Sequence, residues 1–157
     1  MKASKLLALA LLVGSTVAAA ASPFVTLDRI GAAKLVDPGS HAKPTIVTLW
    51  SSDCVYCKKN LKLFADMAKT EPRLKLITIA VEPAGEGLAE PLDRLAVPGV
   101  RFAYGDDAPE ALAYAIDPKW RGELPRTMLF DGRGGKQVLS GVVSEADARR
   151  ALGLARR

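Results

Sequence analysis

Two cysteines separated by two residues, Cys54 and Cys57, are the only thiols in this chain of 157 residues. A pair with this spacing can cycle between a dithiol and a disulfide, and it can also bind a metal ion or attach a haem. The pair follows an apolar run, Thr45–Trp50, and a short turn, and an amphipathic stretch begins with it. Strand, turn, thiol pair and helix form the order that redox chemistry requires.

The two cysteines are expected to differ in their surroundings. Unpaired backbone N–H groups and the helix macrodipole favour an anion at a helix N-terminus, so Cys54 should ionise more easily than a free cysteine. Burial disfavours the thiolate of Cys57, because this residue begins a stripe with the spacing of a buried helix face. The stripe consists of Cys57, Leu61, Phe64 and Ala68. An exposed attacking sulfur and a sheltered resolving one permit exchange through a mixed disulfide.

Other uses of the pair have weaker support. A c-type haem requires a histidine directly after the second cysteine, where the chain has Lys58. A structural zinc site needs four ligands, and the one histidine, His41, is interpreted as a surface residue. With only one histidine and no phosphate-loop glycine pattern, hydrolase and nucleotide functions have little support. We expect no cofactor and no metal. The alternative function is that of a metal-handling or assembly protein, which would bind a soft ion such as Cu(I) through both thiolates.

The N-terminus predicts export. Residues 1–21 combine a basic start, an apolar stretch and the small residues Ala19-Ala20-Ala21 before Ser22-Pro23, which is typical of a cleaved secretory signal peptide. An uncleaved N-terminal anchor is the alternative. Residues 22–157 are then one periplasmic domain with 20 basic and 17 acidic residues. We expect no nucleic-acid partner and no stable membrane insertion of the mature chain.

The predicted elements around the pair alternate between strands and helices before ending in a β-hairpin and a helix. This order predicts an α/β fold, a mixed central sheet with helices on both faces. Residues 23–43 are loosely patterned apart from a short first strand. Predicted strands cover 24–27, 45–50, 75–81, 100–104, 127–130 and 137–143; predicted helices cover 54–69, 88–96, 109–116 and a last segment after the N-cap Ser144.

Two separate motifs resemble those of the thioredoxin superfamily. The stretch 48–57, Thr-Leu-Trp-Ser-Ser-Asp-Cys-Val-Tyr-Cys, is similar to its active-site strand and motif, and Leu124-Pro125-Arg126-Thr127 is similar to its cis-proline loop. The resemblance covers nearly the whole mature chain and is nearest to the exported TlpA/ResA-like thiol–disulfide reductases. It implies a thioredoxin-like three-layer fold and a cis bond before Pro125 that faces the cysteines.

The same resemblance implies an activity and a set of site residues. The protein would reduce disulfides of other proteins, and a membrane-borne electron donor would re-reduce it. The implied catalytic residues are Cys54, Cys57 and Pro125, with Glu82 or Glu86 as a candidate functional carboxylate; the implied substrate-binding residues are Trp50, Tyr56, Leu124 and Pro125.

The chain departs from the family pattern at two places. The buried acid of the superfamily would fall at Thr48, which cannot move a proton at ordinary pH. For Glu82 and Glu86 we favour the interpretation of a solvated loop carboxylate. Val55-Tyr56 between the cysteines is similar to glutaredoxin-like and DsbC-like motifs, so an oxidase or isomerase direction stays open. The segment between the two motifs fits a modest strand-and-helix insertion, which favours a reductase over a DsbA-type oxidase.

Overall fold

The computed structural model describes residues 22–154, and the predicted signal peptide lies outside them. The strands are β1 Val25–Leu27, β2 Thr45–Trp50, β3 Lys75–Pro83, β4 Val100–Tyr104, β5 Arg126–Phe130 and β6 Lys136–Ser140. The helices are α1 Arg29–Val36, α2 Val55–Thr70, α3 Glu90–Arg94, α4 Pro109–Ile116 and α5 Glu145–Ala151, with one 3₁₀ turn at Pro38–Ser40.

The six strands form one mixed sheet in the order β1-β4-β3-β2-β5-β6. Strands β1 to β4 pair in parallel, whereas β5 pairs antiparallel with β2 and with β6. Helical crossovers connect the parallel strands, as parallel pairing requires. The carboxyl ends of β2, β3 and β4 therefore meet at one edge of the sheet, and β2 leads from that edge into the cysteine pair.

Successive side chains of β2 point to opposite faces of the sheet, so the strand contributes apolar residues to the core on both faces. Its even-numbered apolar residues, Ile46 and Trp50, belong to an apolar cluster with helices α2 and α5, and its odd-numbered ones, Val47 and Leu49, belong to a cluster with α1 and α4. All six residues of β2 are buried, which is typical of a central strand covered on both faces. The predicted three-layer α/β fold is confirmed.

Helix α2 carries the predicted buried stripe. Cys57, Leu61 and Phe64 are buried, and Ala68 packs against the same cluster. A polar residue also lies on this face: Asn60 donates through Nδ2 to the Gly141 carbonyl at 3.0 Å and accepts from the Val143 N–H at 3.0 Å. Since these bonds satisfy buried polar groups, they tie the loop after β6 to the helix.

The hairpin turn lies where the sequence predicts it. Asp131 accepts hydrogen bonds from the N–H groups of Arg133 and Gly135, which lower the pKa of its carboxyl group. Gly132 has a φ of 75°, and a Cβ there would lie 2.6 Å from the Lys43 backbone. Only glycine combines that conformation with so close an approach.

One helix was not predicted, and several elements begin or end at other residues than expected. Residues 23–43 contain helix α1, which starts at the N-cap Asp28. The sequence does not indicate this helix, because the apolar Ile30 lies on its exposed face and weakens the amphipathic pattern. The predicted helix over 88–96 is limited to α3. The predicted strand over 137–143 ends at Ser140 because Gly141, with φ 82°, turns the chain towards Asn60.

Within residues 22–154, none of the helices is both long and apolar enough to cross a membrane.

Candidate active site

Cys54 and Cys57 form a disulfide at the N-terminus of α2, with an S–S distance of 2.04 Å and Cα atoms 5.2 Å apart. Cys54 is the N-cap of the helix, and its own N–H donates to the Ser51 carbonyl in the turn that follows β2. Cys57 is 1% exposed, whereas Cys54 is only partly buried. The predicted difference in burial between the two sulfurs is therefore confirmed.

The backbone of the first helical turn is directed at the sulfur of Cys54. The Cys57 N–H donates to Cys54 Sγ at 3.1 Å. This N–H is one of the groups at a helix N-terminus that have no partner within the helix. In the reduced pair the same donor and the positive end of the macrodipole would stabilise a thiolate at Cys54.

Glu82 holds the turn that carries the cysteines. It lies near the end of β3, and its carboxylate accepts hydrogen bonds from the Ser52 N–H at 2.6 Å and from Ser52 Oγ at 3.1 Å. Our interpretation of Glu82 as a solvated loop carboxylate is wrong, because β3 continues to Pro83 and places it beside the turn. Glu86 lies exposed in the following loop, so only Glu82 is brought to the site.

The peptide bond between Leu124 and Pro125 is cis, which confirms that prediction. The Pro125 carbonyl accepts from the Gly141 N–H at 2.9 Å, and the Gly141 carbonyl accepts from Asn60 on α2. Two hydrogen bonds thus connect the proline loop to the helix one turn after Cys57. Within residues 22–154, the backbone N–H and carbonyl of Leu124 have no hydrogen-bond partner.

Arg126 fixes the same loop from its other side. Its guanidinium pairs with Asp117 and, at 2.9 Å, with Glu123, and Glu123 also accepts from Ser140 Oγ at 2.9 Å. Burial alone would raise the pKa of Asp117, but hydrogen bonds from Arg126 and from the Lys119 N–H hold it below its ordinary value. The carboxylates of this network are therefore charged at neutral pH and brace the loop.

Neutral hydroxyl groups lie in the layer beneath α2. Thr48 pairs in register with Thr78 on β3 and Thr127 on β5, and all three are buried. Thr48 Oγ1 lies 3.3 Å from Thr127 Oγ1. Thr78 Oγ1 is enclosed and has no hydrogen-bond partner among the described residues. No carboxylate stands in this row.

The expected substrate-binding residues separate into buried and exposed ones. Trp50 is 0% exposed, so the expectation that it contacts substrate is wrong; it packs in the core beneath α2. Tyr56 and its neighbour Val55 are exposed between the cysteines, and Val142, next to Gly141, is exposed as well. Leu124 is partly buried and Pro125 is buried.

His41 corrects another expectation. We interpreted it as a surface residue, but it is buried: Nε2 lies 2.8 Å from the Leu35 carbonyl, and the ring packs at 4.2 Å from that of Phe130. The 3₁₀ turn before it directs the ring inwards. No three His, Cys, Asp or Glu side chains come together as a possible metal site in the described part of the chain.

Sequence reasoning missed three residues that support the site. Asn60 had a visible signal, because it is a polar residue next to the apolar stripe of α2. Ser52 had none, since its partner Glu82 lies 30 positions away. Arg126 lies three residues after Glu123, but this spacing does not indicate the enclosed pair with Asp117.

The chain was compared with protein families, curated proteins and solved structures, and only solved structures are similar to it. No protein-family model matches the chain, and no curated protein matches it. Among solved structures it is similar to a secreted disulfide oxidoreductase of Mycobacterium tuberculosis described as homologous to E. coli DsbE, with 16% identity, a TM-score of 0.57 and coverage of 73% of this chain and 84% of that one.

Two further solved structures of the same kind are also similar to the chain. A thioredoxin-family thiol:disulfide interchange protein from Chlorobium tepidum has 20% identity and a TM-score of 0.59, covering 72% of this chain and 79% of its own. A thioredoxin-related protein from Neisseria meningitidis serogroup B has 21% identity and a TM-score of 0.56, covering 71% and 84%. The protein therefore has the fold of the thioredoxin-family thiol–disulfide oxidoreductases.

Proposed function

We propose that this protein is an exported thiol–disulfide oxidoreductase that reduces disulfides of other proteins through Cys54 and Cys57. The observation that carries the proposal is the disulfide at the N-terminus of α2, in which the partly buried Cys54 accepts a helix N–H and Cys57 is enclosed. A structural staple would gain little from closing so short a loop.

The proposed cycle starts from the reduced pair. The thiolate of Cys54 attacks one sulfur of a substrate disulfide; an S–S bond forms between enzyme and substrate, and the other substrate sulfur leaves as a thiolate and takes up a proton. Cys57 then loses its proton and attacks Cys54 Sγ. The second substrate thiol is released, two electrons have passed to the substrate, and the enzyme carries the disulfide. A dithiol donor must supply two electrons for the next cycle.

The loop at Leu124 is the proposed place for the substrate backbone. Its free N–H and carbonyl can pair with an extended segment in the way that one strand pairs with another. The exposed side chains Val55, Tyr56 and Val142 add apolar surface around the disulfide. Such a surface accepts many sequences, because main-chain pairing carries most of the recognition.

We assign Glu82 the role of a positioning residue. Its two hydrogen bonds to Ser52 hold the turn two residues before Cys54. A charged acceptor makes the stronger kind of hydrogen bond, so the carboxylate limits the movement of Cys54 when the disulfide opens. Thr48, at the place of the family's buried acid, offers only a hydroxyl.

We further propose that the protein is periplasmic, with residues 1–21 as its signal peptide, and that a membrane-borne dithiol protein re-reduces it in the manner of TlpA/ResA-like reductases. The basic and apolar composition of residues 1–21 supports export. The similar M. tuberculosis protein is itself described as secreted.

The experiment is to trap the mixed disulfide. Cys57→Ser, incubated as the reduced protein with insulin, should accumulate a covalent adduct through Cys54 that dithiothreitol releases. Cys54→Ser is the matched control and should form much less adduct, because its remaining thiol is enclosed. Equal adduct in both variants, or none in either, would contradict the proposed roles.

The direction of electron flow has its own measurement. Equilibration of the wild-type pair with glutathione gives its reduction potential; reducing members of the fold lie near about −270 mV and oxidising ones near about −120 mV. A potential near the reducing end is expected. A potential near the oxidising end would reverse the proposed direction.

A further inference from the structure

A cleft opens at the sheet edge that carries the disulfide, on the opposite face of the sheet from α2. It has a volume of about 500 Å³. Val81 at the end of β3 and Tyr104 at the end of β4 lie on one side, α4 contributes Tyr114, and the loop after α4 contributes Trp120. We call this the aromatic cleft. Crevices beyond the carboxyl ends of parallel strands are a common place for ligands in α/β proteins.

The wall formed by the loop after α4 is held in place. Asp117 and Glu123, at the two ends of this loop, are both bound to Arg126, and Trp120 Nε1 donates to the Glu123 carbonyl at 2.7 Å. The cleft is thus formed before any ligand arrives. A preformed site loses less conformational entropy on binding than a flexible one.

The lining combines aromatic side chains with charged side chains that form no ion pair within residues 22–154. Tyr114 is 68% exposed although it stands beside a concave surface. Glu110 and Arg121, which also line the cleft, form no ion pair within residues 22–154. Aromatic side chains with a few polar groups are typical of surfaces that bind peptides and proteins. Charges of both signs suit a polypeptide, whose side chains and backbone offer partners for each.

The cleft is continuous with the proposed substrate loop. Trp120 and Leu124 pack against the same apolar cluster on this face of the sheet, and the lining residue Gly122 is two positions before Leu124. Leu124 also packs, as Cys54 does, against the cluster that contains Cys57. A chain whose disulfide lies at Cys54 and whose backbone pairs with Leu124 is therefore led towards the cleft.

We propose that the aromatic cleft binds a segment of the polypeptide substrate that flanks its disulfide, with a large apolar side chain against Tyr114 and Trp120. This inference rests on the proposed function and deepens it, since it makes unfolded or extended polypeptides the preferred substrates over small disulfides. Arg121 and Glu110 bind oppositely charged or polar groups of the same segment.

The test compares a polypeptide disulfide with a small one. Tyr114→Ala removes an exposed side chain of the cleft, and Ile30→Ala is the matched control, because Ile30 is 82% exposed on α1 and does not line the cleft. Reduction of insulin and of 5,5′-dithiobis(2-nitrobenzoic acid) is measured for each variant. For Tyr114→Ala, KM for insulin should rise about three- to tenfold with kcat and the small-disulfide rate unchanged; Ile30→Ala should leave all of them unchanged.

Other outcomes have distinct meanings. An unchanged KM for insulin, or an equal loss with both disulfides, would overturn the docking site while leaving the redox activity in place. Failure of the wild-type protein to reduce either disulfide would contradict the proposed function itself, and the docking site with it.

Hydrogen exchange supplies a second measurement. In the mixed disulfide of Cys57→Ser with insulin, amide exchange over residues 109–122 should slow relative to the mixed disulfide with glutathione. Equal exchange in the two adducts would show that the polypeptide does not reach the cleft and would overturn the inference.

Discussion

Removing the guanidinium of Arg126 should weaken both the fold and the loop before Pro125. The side chain of Arg126 is 15% exposed and that of its partner Asp117 is 14% exposed, so the pair is largely withdrawn from water. The substitution Arg126→Ala leaves Asp117 in the same enclosed position without its cation. It also frees Glu123, the second carboxylate of the network.

The size of the effect follows from this enclosure. Breaking a buried ion pair by removing one partner costs about 3–5 kcal/mol, whereas exposed pairs contribute about 0–1 kcal/mol. The pair of Arg126 and Asp117 is less enclosed than a fully buried ion pair but much more enclosed than a surface pair. We therefore expect the substitution to lower the free energy of unfolding by about 2–3 kcal/mol at pH 7. Arg150→Ala is the control, because Arg150 and Asp147 are 66% and 48% exposed, and its loss should stay below about 1 kcal/mol.

The loss should depend on pH. The pKa of Asp117 is depressed in the folded protein by Arg126 and the Lys119 N–H, despite burial. A carboxyl group of this kind contributes stability above its unfolded pKa, about 3.9, and loses it as the pH falls through the folded pKa. The difference between wild type and Arg126→Ala should therefore be largest at neutral pH and shrink below about pH 4.

The assay is urea unfolding followed by tryptophan fluorescence, at pH 7 and at pH 3.5, with the reduction rates of insulin as a second readout. The midpoint should fall without a change in slope. Insulin reduction should slow as well, because the loop that presents Leu124 is less restrained. A loss no larger than that of Arg150→Ala, or one that is the same at both pH values, would refute the claim that the enclosed ion pair stabilises the loop.

Three further predictions concern the polar groups of Tyr104, Thr48 and Glu82. Tyr104→Phe removes a hydroxyl that has no partner among the described residues, so it should raise the free energy of unfolding by about 1 kcal/mol. Burial raises the pKa of Tyr104 to about 12, so the wild type should lose more stability than Tyr104→Phe as the pH rises from about 10 to 12. Destabilisation by Tyr104→Phe would argue against this assignment. Thr48→Val should cost about 1–2 kcal/mol by leaving Thr127 Oγ1 without its partner, and adding Thr127→Val should restore part of the loss in a double-mutant cycle. Glu82→Ala should slow mixed-disulfide formation about tenfold, because both hydrogen bonds to Ser52 are lost. Glu86→Ala is the control and should leave the rate unchanged. Equal rates in the two variants would contradict the positioning role of Glu82.

Features that depend on neighbours along the chain were predictable. The spacing of Cys57, Leu61 and Phe64 indicated the buried face of α2, and the position of Cys54 indicated the helix start, because helical periodicity and capping act within a few residues. The hairpin turn was recognisable for the same reason, being a short local pattern, whereas the cis-proline loop was expected only from its resemblance to the thioredoxin-superfamily motif. Helix α1 was not, since exposed Ile30 weakens its period.

The sequence by itself determined that a thiol pair opens a helix after a buried strand, and that the fold alternates strands and helices around it. Only the tertiary structure decided what surrounds the pair. Glu82 meets Ser52 across 30 positions, Trp50 and His41 are enclosed rather than exposed, and the cleft forms from β3, β4, α4 and a loop. The physical reason is that enclosure and hydrogen-bond partners depend on how distant segments pack, and packing joins residues whose separation along the chain carries no periodic signal.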